Sequence, residues 1–165
     1  MKALEACLAL MISQQQGTLD ELDNPAYMFQ RSSNVPTDTL MLSGRGPPAK
    51  KCGLIRCGFR PSDDACTLPF LIPANAMAVV ELFKISQWLV PINKALADKC
   101  GALSRQVREA IEAFGIVKLP NGDHVYAYEV DGFGNYYLMD VSAPRVLDNS
   151  LTLVNICRML IFRRS

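Results

Sequence analysis

Histidine and tryptophan each occur once, as His124 and Trp88, and no two cysteines stand at C-x-x-C spacing. Zinc sites are built from Cys and His at short, fixed separations. The six cysteines (Cys7, Cys52, Cys57, Cys66, Cys100 and Cys157) offer none of these, so no metal and no cofactor is expected. Six in 165 residues is also too sparse for a disulfide scaffold, and leaves the redox compartment open. An excess of either charge is missing as well: 17 basic and 16 acidic side chains leave a net +1. Nucleic acids and anionic membranes select basic patches, so neither is expected as a partner. The longest apolar stretch, Cys66 to Val80, is broken by Pro69, Pro73 and Asn75 and closed by Glu81, which excludes a membrane-spanning helix there. The opening MKALEACLALMISQQQ is interrupted by Glu5 and runs into glutamines, so it reads as an amphipathic helix and not as a secretory signal.

What is present is an apolar fraction of one half and a charged fraction of one fifth, the balance of a folded chain of about one domain. Helical spacing of Leu4, Cys7, Leu8, Met11 and Ile12 predicts a helix over 3–15, and Asp23-Asn24-Pro25 stops anything extending that far. Turn formers fill 34–51. The Ser43–Pro48 stretch is glycine-rich but lacks the Gly-Lys-Ser/Thr of a phosphate loop. Two long helices follow, Ala76–Val90 and Lys94–Phe114, the second with Leu96, Leu103, Val107, Ala110 and Ile111 inward and Gly115 as its stop. Ile116–Leu119 and His124–Tyr128, joined through Pro120-Asn121-Gly122-Asp123, predict a β-hairpin, since Asn-Gly accepts positive φ.

Three clusters place polar groups where a plain core would not want them. Arg60-Pro61-Ser62-Asp63-Asp64 sets two carboxylates beside a guanidinium and next to apolar chain. Such a setting can separate two pKa values, keeping one acid protonated while the other stays ionised against Arg60. It equally describes a capped turn with an exposed ion pair. Glu129 and Asp131, at i and i+2 of an extended segment, point to one side, and the glycines flanking Phe133 allow close backbone approach to a ligand; a polar turn fits the same residues. The spaced ligands of a calcium-binding EF-hand are lacking. Val35-Pro36-Thr37-Asp38-Thr39 by itself is a loop with an Asx turn. Trp88, Tyr126, Tyr128, Tyr136 and Tyr137 are candidates to stack on a sugar, although Trp88 at helical spacing also suits a core.

In this order, NPAYMFQR (24–31), VPTDTL (35–40), GLIRCGFRPSDDA (53–65), FLIPAN (70–75) and YEVDGFGNYYLMD (128–140) resemble the metal-independent exo-α-1,6-mannosidases of glycoside hydrolase family 125, including its fungal meiotically up-regulated members. The resemblance implies a mainly α fold, a fragment of an (α/α)6 barrel with a small β-hairpin, and hydrolysis of a terminal α-linked mannose with inversion. It implies an α-mannoside glycan as the partner. It places the general acid in RPSDD, on Asp64 with Asp63 as the alternative. Arg60, Ser62, Asn75, Glu129 and Asp131 are then expected at the substrate, Glu129 and Asp131 either as sugar contacts or as structure at the barrel mouth.

The sequence departs from the family pattern at two places. Family members are longer on the N-terminal side. After Leu138-Met139-Asp140 the run Val141-Ser142-Ala143-Pro144 replaces the family's continuation, which is where the general base is expected. Residues 1–140 are therefore expected to form a partial glycosidase domain lacking its base, and thus an inactive one. Residues 141–165 are expected to be an unrelated tail read through from an intron, since Val141-Ser142 can be encoded by the usual start of an intron and Leu151-Thr152 by a branch site. A non-catalytic glycan-binding fragment is the alternative.

Overall fold

The computed structural model describes residues 1–18, 20, 25 and 27–139. In chain order it holds α1 (Lys2–Ser13), a 3-10 turn (Pro36–Asp38), the single helical turn α2 (Met41–Gly44), β1 (Phe70–Leu71), α3 (Ile72–Leu89), α4 (Lys94–Phe114), β2 (Ile116–Lys118), β3 (His124–Tyr126), β4 (Glu129–Val130) and β5 (Tyr136–Tyr137). The described residues are mainly helical with two small sheets, as the sequence predicts in outline. The residues beyond Met139, and with them the expected unrelated tail, lie outside the described residues, as do 21–24, where a helix stop was expected.

The helix pair α3–α4 carries the core. Val79 and Leu82 of α3 meet Leu96, Cys100, Leu103, Val107 and Ile111 of α4, all at most 3% exposed. The inward stripe read from α4 is the buried one, Ala110 included. Its start is fixed by Asn93, whose Oδ1 accepts from the Leu96 amide at 3.0 Å, as an N-cap asparagine does. Close approach of the helices uses small residues: the Ser104 hydroxyl donates to the Val79 carbonyl at 2.7 Å, and Gly101 faces Ser86. Leu8 of α1 is buried against this pair, whereas Ile12 is half exposed, so α1 offers a narrower apolar face than its spacing suggested.

Helix α3 begins at Ile72, four residues before the expected Ala76, because Pro73 sits in the first turn, where a missing N–H costs nothing. Gly115 ends α4 with an ordinary negative φ of −91°. A left-handed stop is therefore not its reason; a Cβ there would lie 2.9 Å from the Ile111 carbonyl oxygen and 3.0 Å from the Ile72 side chain. The β2–β3 hairpin pairs Ile116 with Tyr126 and Lys118 with His124. Only Gly122 of its turn takes positive φ, at 93°, with the Gly122 amide returning to Leu119 O at 2.9 Å.

The three-stranded sheet β1-β4-β5 is an addition that sequence reading did not provide. It is antiparallel, with Phe70 opposite Val130 and Glu129 opposite Tyr137. Two-residue strands show too little alternation to be read from sequence. Their role is positional: β4 brings Glu129 to β1, at the foot of the Arg60 loop.

Candidate active site

The segment from Cys57 to Cys66 folds back on itself. Phe59 bridges Ala65, the Arg60 amide donates to Asp64 O at 2.8 Å, and the Asp63 amide donates to Arg60 O at 3.0 Å. Pro61, Ser62 and Asp63 are thus a three-residue hairpin loop: a turn with proline at its second position, then a left-handed residue. That residue is Asp63, at φ 68°. Glycine usually takes this place; a side chain there costs about 1–2 kcal/mol, somewhat less for Asp or Asn. Asp63 is exposed, and Asp64 is half-buried with Oδ2 accepting from the Ser62 hydroxyl at 2.9 Å.

Below the loop lies a buried ion pair. Arg60 Nε meets Glu129 Oε1 at 2.5 Å, both side chains being at most 1% exposed. Glu129 Oε2 accepts from the backbone amides of Thr67 (3.1 Å) and Leu68 (2.9 Å), and Arg60 also donates to the Thr67 hydroxyl at 2.9 Å. The backbone explains why a carboxylate is needed. Pairing steps from Cys66 N–Gly58 O to Cys57 N–Pro69 O, so Thr67 and Leu68 bulge out of the ladder with amides that need acceptors. Sequence adjacency suggested Asp63 or Asp64 as the carboxylate held charged by Arg60. The buried pair is made instead with Glu129, a partner that neighbouring residues in the sequence cannot reveal.

The other clusters arrive from two sides. Thr37 O accepts from the Ala65 amide at 2.7 Å, which joins the VPTDT segment to the acidic hairpin. Asp38 is itself held by Arg31, through Nε to its carbonyl at 2.7 Å and an ion pair at 3.5 Å, and by Ser33 Oγ at 2.6 Å. Phe29 packs edge-on against Phe59 with centroids 5.2 Å apart, and Arg31 lies over the Phe29 ring at 5.9 Å. Segments 27–31, 35–39, 57–68 and 129 therefore form one locality.

Of the expected site residues, Asp63, Asp64 and Ser62 share the loop tip, and Arg60 and Glu129 lie beneath it. Asn75 is buried at 2% exposure and bonded three ways, accepting from Ile55 N (2.8 Å) and donating to Ile55 O and Leu71 O (2.9 Å each). Asp131 turns back on its own loop, accepting from Phe133 N (2.8 Å), Asn135 N (3.0 Å) and Asn135 Nδ2 (2.6 Å). The close approach that Gly132 permits, at φ 79°, is to Lys50 O, 3.0 Å from where a Cβ would stand. Phe133 and Tyr136 are exposed, Tyr128 is buried, and Trp88 is 73% exposed and so not in the core. Leu68, Gly134, Asn135, Tyr136 and Tyr137 line an open cleft of about 440 Å³, one wall of which is the bulge held by Glu129. Among the described residues, no group of three or more His, Cys, Asp or Glu is placed to hold a metal ion.

Residues 1–159 match the family model described as metal-independent alpha-mannosidase (GH125). The match continues past Asp140. The chain is 40% identical over 154 residues to the meiotically up-regulated gene 157 protein of Schizosaccharomyces pombe, covering 89% of this chain and 30% of that protein. Its fold is similar, at a TM-score of 0.76 and 32% identity over 84% of this chain, to a metal-independent alpha mannosidase of Streptococcus pneumoniae solved as a non-productive substrate complex with alpha-1,6-mannobiose. The chain spans about a third of the length of each of these relatives, 30% and 32% respectively. With the family model matched over nearly the whole chain, this protein belongs to the metal-independent α-mannosidases of glycoside hydrolase family 125.

Proposed function

We propose that this chain carries the acid side of a site hydrolysing terminal α-1,6-linked mannose with inversion, within a portion of an (α/α)6 barrel. The observation that supports it is the convergence of the VPTDT, RPSDD and YEVDG segments on one hairpin, through Thr37–Ala65 and Arg60–Glu129. In an inverting glycosidase one carboxylic acid protonates the leaving oxygen while a carboxylate roughly 6.5–9.5 Å away activates water on the opposite face of the sugar. Asp64 takes the first role: Ser62 fixes one carboxyl oxygen and orients the group that gives up the proton. Arg60 and Glu129 position the loop from below, and the Tyr136–Tyr137 cleft beside Leu68 offers aromatic surface to a sugar ring. Asn75 and Asp131 act by shaping backbone around the site.

The general base, on this reading, belongs to the portion of a family-length protein that this chain does not represent. The isolated chain then binds α-1,6-mannobiose without turning it over, because general-base catalysis alone is worth about 10²–10⁴-fold. A non-catalytic glycan-binding role is the second reading: the Leu68–Tyr137 cleft offers aromatic surface to a sugar whether or not a base completes the site. The test pairs titration calorimetry of the 165-residue chain against α-1,6-mannobiose with anomeric NMR of hydrolysis by a version extended to family length. In the extended version Asp64→Asn should lower kcat about 10²–10⁴-fold and spare binding. Loss of kcat in Asp63→Asn but not in Asp64→Asn would transfer the acid to Asp63, and an α-configured first product would overturn inversion. If extension restores no hydrolysis while mannobiose still binds, the second reading holds.

A further inference from the structure

Cys57 and Cys66 face each other at the base of the hairpin that carries Asp63 and Asp64. Their thiols are in contact, and both pack with Leu71, Ala74 and Tyr128. Cys57 Sγ also lies 2.9 Å from the Phe59 carbonyl, to which its own S–H donates. The bulge at Thr67 and Leu68 brings this about: regular pairing on from Phe59–Ala65 would send residues 57 and 66 to opposite faces. The two thiols differ in access, Cys66 being 2% exposed and Cys57 partly exposed beside the small cleft that Gln14, Tyr27 and Arg56 help to line. Among the other described cysteines, Cys100 is closed inside α3–α4 and Cys7 stands on the exposed side of α1.

We propose that Cys57 and Cys66 are a dithiol site that a low-molecular-weight disulfide such as oxidised glutathione converts to an intrachain bond across the base of the acidic hairpin. In the first step the Cys57 thiolate attacks one sulfur of the small disulfide. A mixed disulfide forms and one small thiolate leaves. In the second step Cys66 gives up its proton and its sulfur attacks the Cys57 sulfur, forming the Cys57–Cys66 bond and expelling the second small thiolate. Two protein thiols are oxidised and one small disulfide is reduced to two thiols, so electrons and protons balance.

The division of labour follows from access, Cys57 being partly exposed and Cys66 buried. Contact with Cys66, outweighing the effect of burial, also holds the Cys57 thiol down to about 7, while the same contact and burial push Cys66 above the ordinary thiol range. Cys57 is the attacking and Cys66 the resolving sulfur. Near pH 7 about half of Cys57 is thiolate against a few per cent or less of an ordinary thiol. The lower nucleophilicity of a low-pKa thiolate reduces that gain to roughly three- to sixfold in rate. The site is a property of the hairpin and does not depend on the mannosidase reading.

The test treats the full chain with oxidised glutathione at pH 7, quenches with an alkylating agent and maps tryptic peptides by mass. Trypsin cuts after Arg56 and Lys84 and spares Arg60–Pro61, so both sulfurs fall in one peptide. The expected product is that peptide two hydrogens lighter, unalkylated and free of glutathione, and restored by dithiothreitol. Cys66→Ala should instead retain glutathione on Cys57, acquired roughly three- to sixfold more slowly. As a measurement independent of any variant, limiting iodoacetamide at pH 7 should label Cys57 of the untouched chain ahead of Cys7. Persistence of a glutathione adduct on Cys57 of the unsubstituted chain, its two thiols remaining fully alkylatable, or Cys7 reacting first would overturn the proposal.

Discussion

Glu129→Gln is the sharpest perturbation of the site's foundation. The substitution keeps the volume of a side chain that is fully buried and removes only the charge and one acceptor oxygen. Glu129 accepts from Arg60 Nε, Thr67 N and Leu68 N, all three of them donors. A glutamine must turn its NH₂ towards some of these, donor against donor, and takes the Glu129 charge away from Arg60 in the interior. Removing one member of a buried ion pair costs about 3–5 kcal/mol. That is a large part of the roughly 5–15 kcal/mol by which a domain is stable. Urea unfolding followed by far-ultraviolet circular dichroism measures it; Trp88 fluorescence is unsuitable because that ring is already 73% exposed in the folded protein. With a urea slope of about 1–3 kcal/mol/M, the midpoint should fall by about 1 M or more. Arg60→Met combined with Glu129→Gln should recover part of the loss, since the buried charge is then gone and the amide oxygen introduced at position 129 can still serve a bulge amide. A single substitution costing under about 1 kcal/mol, or a double costing more than the two singles summed, would refute the assignment of this pair as the loop's foundation.

Asp63→Gly should leave the fold intact and stabilise it by about 0.5–1 kcal/mol in the same urea assay, because glycine takes φ 68° without penalty; a net destabilisation would show that the Asp63 side chain holds the loop. Asn75→Leu, close to isosteric, strands the Ile55 N–H and C=O in the interior and should cost about 2–5 kcal/mol, read as a lowered urea midpoint. The alkylation rate of Cys57 should rise with pH to a midpoint near 7, because the depressed thiol loses its proton there and only the thiolate reacts; a midpoint at about 8.5 or above, the range of an ordinary thiol, would exclude this effect of the Cys66 contact.

The parts of this protein that were legible in its sequence are those with local causes. Helix α4 was found to its last residue because an unbroken apolar stripe runs along it and a glycine follows it. The hairpin at 116–126 was found because Gly122 marks its turn. The three polar clusters were visible as polar groups beside apolar chain, and the motif order linked them to a family. Their internal division was not legible. Nothing near Arg60 announces that its carboxylate lies sixty-nine positions along the chain, or that Asn75, two residues after a proline, would close on Ile55. Strands of two residues carry no periodicity, so the sheet that delivers Glu129 to the loop was invisible until it was seen paired.

That sheet also explains why an ion pair stands here at all. Buried pairs can often be exchanged for apolar side chains at no loss, because two desolvated charges cost about as much as their attraction returns. The exchange fails at this site for a reason outside the pair. Thr67 and Leu68 bulge from the ladder, and their amides have Glu129 as the acceptor inside the fold. An apolar residue at 129 would leave two buried donors unpaired, at about 1–3 kcal/mol each. Removing the bulge would restore regular pairing, but it would also re-aim the strand that leads back from Asp64. The carboxylate that the sequence offered as a sugar contact or as barrel-mouth structure thus also makes the bent strand tolerable. The bend in turn sets where Asp64 and the Leu68–Tyr137 cleft stand relative to each other.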